Sequence, residues 1–224
     1  VIKKFIKKKD PIVFDIGGNR GQSIKLFRKL YPKCIIHSFE PVKSEFKYLE
    51  ENFNSKKNYL NNYGVGNCNK KLPFYTTKGT ANSSFLKITP GTKWLKNRSK
   101  YWNTTPKNFI VKKNKIKVVT LDNYTNKKKV NKIDILKIDT EGFSEKVLQG
   151  CKKLLKKNTI SLILVEVKMD NTYEKDESFY GIEKLLHKNF KLYAIETLDK
   201  FVTRLHDSFG CDVVYVNNKL IKNK

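Results

Sequence analysis

The chain is short of several things, and each shortage removes a class of function. Acidic residues are scarce: 21 Asp and Glu stand against 47 Lys and Arg, a net charge of +26 over 224 residues. Four cysteines (Cys34, Cys68, Cys151, Cys211) and three histidines are scattered, with no C-x-x-C pair and no H-E-x-x-H helix. This spacing excludes a finger or ribbon zinc site and a disulfide framework, and no metal is expected. Reduced thiols and a cytoplasmic location are expected instead. No apolar run approaches the roughly 18 residues of a membrane span. Residues 1–10, VIKKFIKKKD, lack an apolar core of secretory-signal length. The dinucleotide fingerprint G-x-G-x-x-G is absent too: counting from Gly17, its second and third glycines fall at Asn19 and Gln22. That argues against an NAD-dependent enzyme.

What is present is organised around PIVFDIGGNRG at 11–21. A short apolar strand runs into a glycine-rich turn, and a helix begins near Arg20. Glycine lets backbone pass close to a ligand, and a helix start offers free N–H groups and partial positive charge. Asp15 ends the strand. A carboxylate there repels a pyrophosphate and suits a cationic group, which favours S-adenosylmethionine, with its ammonium and sulfonium, over NAD. Cys34–Phe39 reads as a second strand that ends in Glu40, twenty-five residues after Asp15, and Pro41. An acid at that place in a βαβ unit faces a ribose, and Pro41 stops the strand.

The rest follows an α/β rhythm. Residues 43–53 read as a helix, 58–65 as a third strand and 72–76 as an edge or hairpin strand. Residues 116–121 form another short strand. IDILKI at 133–138 is a near-continuous apolar run with one lysine, which suits a central parallel strand, and it ends in Asp139. SLILVEV at 161–167, carrying Glu166, is a second central strand. Strands at 190–195 and 211–216, joined as a hairpin, close an open, mostly parallel sheet with one antiparallel strand and helices on both faces. Residues 1–224 are expected to form a single domain. Residues 79–115 read as an irregular, aromatic and basic insertion on the substrate side, either a packed flap or a surface that stacks on sugars or bases. Residues 1–10 read as a basic amphipathic helix that covers the domain edge or touches an anionic membrane.

Several segments, in order, resemble the FkbM family of S-adenosylmethionine-dependent methyltransferases: VFDIGGNRG (13–21), SFEP (38–41), VGN (65–67), NSSF (82–85), VVTLDNY (118–124), IDILKIDTEG (133–142), VLQG (147–150) and LVEV (164–167). Gly18 stands where that family usually has alanine. The resemblance implies a Rossmann-like class I methyltransferase fold with a seven-stranded sheet, and O-methylation, often of a sugar hydroxyl. It implies that Asp15, Gly17, Asn19 and Gly21 hold the methionine end of the cofactor, Glu40 and Pro41 the ribose side, and Val65 the adenine. It places Asp139 and Glu141 beside the transferring methyl. Methyl transfer needs an aligned acceptor and a base rather than an enzyme nucleophile, so Asp139 or Glu141 is the expected base. The high positive charge fits an anionic partner or a lysine-biased composition. Non-specific polyanion binding at low salt follows in either case, and the alternative readings are an RNA methyltransferase that uses the basic surface or a non-catalytic methyltransferase-fold binding domain.

Overall fold

The structure is a computed structural model that describes residues 1–168, 171–174, 178–197 and 210–221. Ten strands occur in chain order: β1 (Ile12–Ile16), β2 (Ile35–Phe39), β3 (Asn58–Asn61), β4 (Gly64–Val65), β5 (Lys71–Thr77), β6 (Ile110–Val119), β7 (Ile133–Ile138), β8 (Ile160–Val167), β9 (Phe190–Thr197) and β10 (Cys211–Asn217). The helices are α1 (Ile2–Phe5), α2 (Gln22–Leu30), α3 (Lys43–Phe53), α4 (Lys93–Tyr101), α5 (Leu121–Lys128), α6 (Ser144–Gln149), α7 (Lys152–Lys156), α8 (Phe179–Leu186) and α9 (Asn218–Ile221).

Seven strands form the main sheet in the order β3-β2-β1-β7-β8-β10-β9. All neighbours are parallel except at β10, which runs antiparallel to both β8 and β9. The order reverses between β1 and β7, and in such sheets ligands bind outside the carboxyl ends at that crevice. Strand alternation divides the core. Phe14, Leu136 and Ile163 point to a face covered by α5, α6, α7 and α8, whereas Val13, Ile135 and Leu162 point to the other, beneath α1 and α2. β1 and β7 are apolar on both faces because both faces are covered.

The expected third strand is split. Asn58–Asn61 pairs with β2, but Gly64–Val65 leaves the main sheet and pairs with β6 in a separate three-stranded sheet, β4-β6-β5. The stretch 79–115 is more regular than its composition suggests. It holds α4, with Thr92 capping the amide of Leu95, and most of the ten-residue β6. Trp94, Leu95 and Phe109 are buried there with Ile88 and Tyr173, so these aromatics form a small core of their own. At the N-terminus only Ile2–Phe5 is helical. Phe5 and Ile6 are buried with Val13, Ile24 and Phe27, so this segment covers the domain edge. No described helix is long and apolar enough to cross a membrane.

Candidate active site

A cleft of about 440 Å³ opens at the β1/β7 switch point, within the range of small-molecule sites. Its first wall is the turn after β1. Gly17 adopts φ +91°, and a Cβ on it would run into the carbonyl oxygen of Asp139 on the neighbouring strand, so only glycine fits where β1 and β7 end together. Asn19 is also left-handed, at φ +42°. Its amide donates to Glu40 Oε2 at 2.7 Å, and the amide of Val42 donates to Glu40 Oε1 at 2.7 Å. Glu40 is thus clamped between the turn and the start of α3. Burial pushes its carboxyl up to about 7, against the pull of those two amides. Gln22 and Ser23, the first turn of α2, line the same wall.

The expected cofactor residues divide. Gly17, Asn19, Glu40, Pro41 and Val65 line the cleft. Asp15 and Gly21 do not, which corrects the expectation of direct contact. Asp15 is fully buried behind the turn. Its Oδ2 accepts from Ser38 Oγ at 3.0 Å, and its Oδ1 faces Lys137 Nζ at 3.5 Å. Burial raises its carboxyl, and Lys137 opposes the shift. Gly21, at φ +77°, closes the turn under the ring of Phe53. The cleft is acidic, lined by Glu40, Asp139, Glu141, Glu166 and Asp212, with Lys137 the one cation in its lining among the described residues.

The second wall is an ionic network. Lys137 Nζ lies 3.2 Å from Asp139 Oδ2, and Lys168 Nζ lies 3.0 Å from Glu141 Oε2 and 2.8 Å from Glu166 Oε1. Asp139 leaves 45% of its side chain exposed, whereas Glu166 and Lys168 are 8% exposed. Burial pushes the Asp139 carboxyl up, but Lys137 and then Lys168 outweigh it and hold it below the usual range. Glu166 shifts the other way, raised by burial and by Glu141 beyond what Lys168 recovers. The site therefore keeps Asp139 as a carboxylate beside a carboxyl that favours its proton. Glu141 sits at φ +52°, a conformation that costs a non-glycine residue about 1 kcal/mol or more. Ser84 Oγ donates to its carbonyl at 2.7 Å, and the Tyr173 hydroxyl donates to its Oε2 at 2.8 Å. Its carboxylate does not cap α6, whose N-cap is Phe143.

Carboxylate oxygens of Asp139, Glu141 and Glu166 come within 4.8 Å of one another, close enough to hold a cation. The ammonium groups of Lys137 and Lys168 already stand among them and supply the counter-charge. Lys137, Lys168, Asp212 and Tyr173 escaped assignment from sequence. The one legible signal was Lys137, because a lysine inside a strand buried on both faces needs an acid.

The family model described as the Methyltransferase FkbM domain matches residues 15–192. A curated relative, the 2-O-methyltransferase NoeI of Sinorhizobium fredii, is 25% identical over 86% of this chain and 77% of its own length. The crystal structure of an FkbM methyltransferase from Methylobacillus flagellatus aligns with TM-score 0.53 at 11% identity, over 93% of this chain but only 44% of that one. A candidate S-adenosylmethionine-dependent methyltransferase from Listeria monocytogenes aligns with TM-score 0.51 at 8% identity, over 97% and 95% of the two chains. The acidic lining fits a ligand bearing an ammonium and a sulfonium, and S-adenosylmethionine is the cofactor. With a class I sheet, an acidic crevice at its switch point and a family model spanning most of its length, this chain belongs to the FkbM methyltransferase family.

Proposed function

We propose that the chain methylates a hydroxyl group and that this hydroxyl belongs to a saccharide. The observation that carries the reading is Asp139, a partly exposed carboxylate at the cleft floor that Lys137 keeps ionised from 3.2 Å. A sugar hydroxyl is a poor nucleophile, so a base must take its proton as the new bond forms. Bound S-adenosylmethionine supplies a methyl group already activated by its sulfonium, and no side-chain nucleophile is required. Asp139 accepts the hydroxyl proton. Glu141, fixed by Lys168 and Tyr173, accepts a hydrogen bond from a neighbouring hydroxyl and so orients the ring. Glu40 receives the ribose hydroxyls. Pro41 and Val65 border the adenine, and Gly17, Asn19 and the first turn of α2 receive the amino-acid end. Asp15 and Gly21 support that wall from behind. Lys137 and Lys168 supply positive charge among these carboxylates. The name of the curated relative, a 2-O-methyltransferase, supports oxygen as the acceptor atom.

The test offers methyl-labelled S-adenosylmethionine with two acceptor pools, one of nucleotide sugars and glycans and one of total RNA. Label is expected in the saccharide pool, and Glu40→Ala and Asp139→Asn should each remove it. Label confined to RNA would overturn the saccharide reading.

A further inference from the structure

The positive charge is not evenly distributed. Residues 52–121 hold fifteen Lys and Arg and no Asp or Glu. Among the described residues, the one ion pair reaching into this stretch is Lys87–Glu174. The stretch builds the second sheet and α4, and Gly64, Val65 and Phe74 of that sheet line the cleft together with Thr80, Ala81 and Phe85. Phe74 of β5 faces the cleft from this sheet, with Val65 of β4 beside it.

The pleat sorts the charge. On β5 and β6 the registered pairs Lys71↔Lys117, Pro73↔Lys115 and Tyr75↔Lys113 share one face, and Phe74 points to the other. Lys71, Lys113, Lys115 and Lys117 are all exposed. Successive lysines on that face of β6 stand about 7 Å apart, two strand residues. Like charges directly opposite across a strand pair are unfavourable, and among the described residues no acid pairs with Lys71 or Lys117. A groove lined by Lys70, Lys71, Lys117 and Lys127 continues the same surface. At its other end Lys78 leads into Thr80 and Ala81 at the cleft.

We infer that this lysine face docks the non-reacting part of an anionic glycan, one bearing carboxylate or phosphate groups, whose methylated sugar lies in the cleft. The inference rests on the saccharide reading above and narrows it. Two features favour a glycan over other polyanions. Base stacking needs open aromatic faces, and here Lys113 covers Tyr75 at 5.4 Å and Lys117 covers Tyr63 at 5.1 Å. Docking on a bilayer needs several apolar tips among the lysines, and here Pro73 and Tyr75 stand between them, with Val111 exposed at one end of β6.

The test compares two charge-matched variants by anisotropy at about 150 mM salt, where the screening length is about 8 Å. One is Lys113→Gln/Lys115→Gln/Lys117→Gln. The other is Lys152→Gln/Lys156→Gln/Lys184→Gln, exposed positions on α7 and α8. Labelled oligogalacturonate and phosphorylated dextran are the probes, with neutral dextran, oligouridylate and phosphatidylglycerol vesicles as competitors. The β6 variant should lose about tenfold in affinity for at least one anionic glycan, and the helix variant less than about twofold. The probe held more tightly identifies the anionic group. Equal losses in both variants, no glycan binding, or tighter binding of RNA or vesicles through the same lysines would overturn the inference. Unchanged S-adenosylhomocysteine affinity establishes that each variant is folded. Because binding is read without turnover, a glycan that is held but never methylated would count against the proposed reaction and leave the docking face standing.

Discussion

The two walls of the cleft are built by different physics. The wall after β1 and β2 is local. A left-handed glycine, a left-handed asparagine and two amides on Glu40 come from 26 consecutive residues, 17–42. The wall after β7 and β8 is assembled at long range. Lys137, Asp139, Glu141, Glu166, Lys168 and Tyr173 balance one another's charge across two strands and their loops. The first wall binds by shape and directed hydrogen bonds. The second sets proton positions through the field of its neighbours. Cofactor affinity and turnover should therefore separate by wall.

The sharpest break is Asp139→Asn. Removing the base should lower kcat by about 10²- to 10⁴-fold, while calorimetry finds S-adenosylhomocysteine affinity nearly unchanged. A parallel collapse of affinity would mean that the two walls act as one. Lys168→Met should come next, because it leaves Glu141 and Glu166 facing each other without their shared cation. Loss of one partner from a buried pair costs about 3–5 kcal/mol, read as a lower urea midpoint. Adding Glu166→Gln should recover part of it. Glu40→Gln tests the first wall: S-adenosylhomocysteine affinity should drop by the ~1.5–3 kcal/mol of a charged hydrogen bond, with kcat at saturating cofactor largely kept.

Glu40 also predicts a pH dependence. Its carboxyl is raised to about 7 in the ligand-free protein, and the ionised form accepts the ribose hydroxyls. S-adenosylhomocysteine affinity should therefore rise as pH climbs through about 7, and the rise should flatten in Glu40→Gln. The same shift has the opposite sense for folding: Glu40 contributes stability below its ordinary range that is lost as pH rises through 7. The smallest effect is expected from Gly18→Ala. A Cβ there meets Ser38 Oγ, whose bond to Asp15 would turn away at a cost of about 1 kcal/mol. Gly18→Ala/Ser38→Ala should lose no more than Ser38→Ala alone. Ser38 Oγ thus leaves no room for a methyl at Gly18.

The sequence by itself determined the α/β succession of elements along the chain, the glycine turn, Glu40 at the end of β2 and Asp139 at the end of β7. Each is written in contiguous residues, where strand period, glycine placement and an acid at a strand end carry physical meaning at short range. Tertiary structure decided the rest. It hid Asp15 behind the turn and set it against Lys137, because a fully covered β1 leaves that side chain no route to the cleft. It broke 58–65 into two strands of different sheets and turned a stretch read as irregular into a helix and a long strand around a small aromatic core. It sorted the lysines of β5 and β6 onto one face and brought Glu166 and Lys168 to Glu141. The reason is the same throughout. Propensity and pattern act over a few residues, whereas charge pairing and burial depend on which distant strands become neighbours.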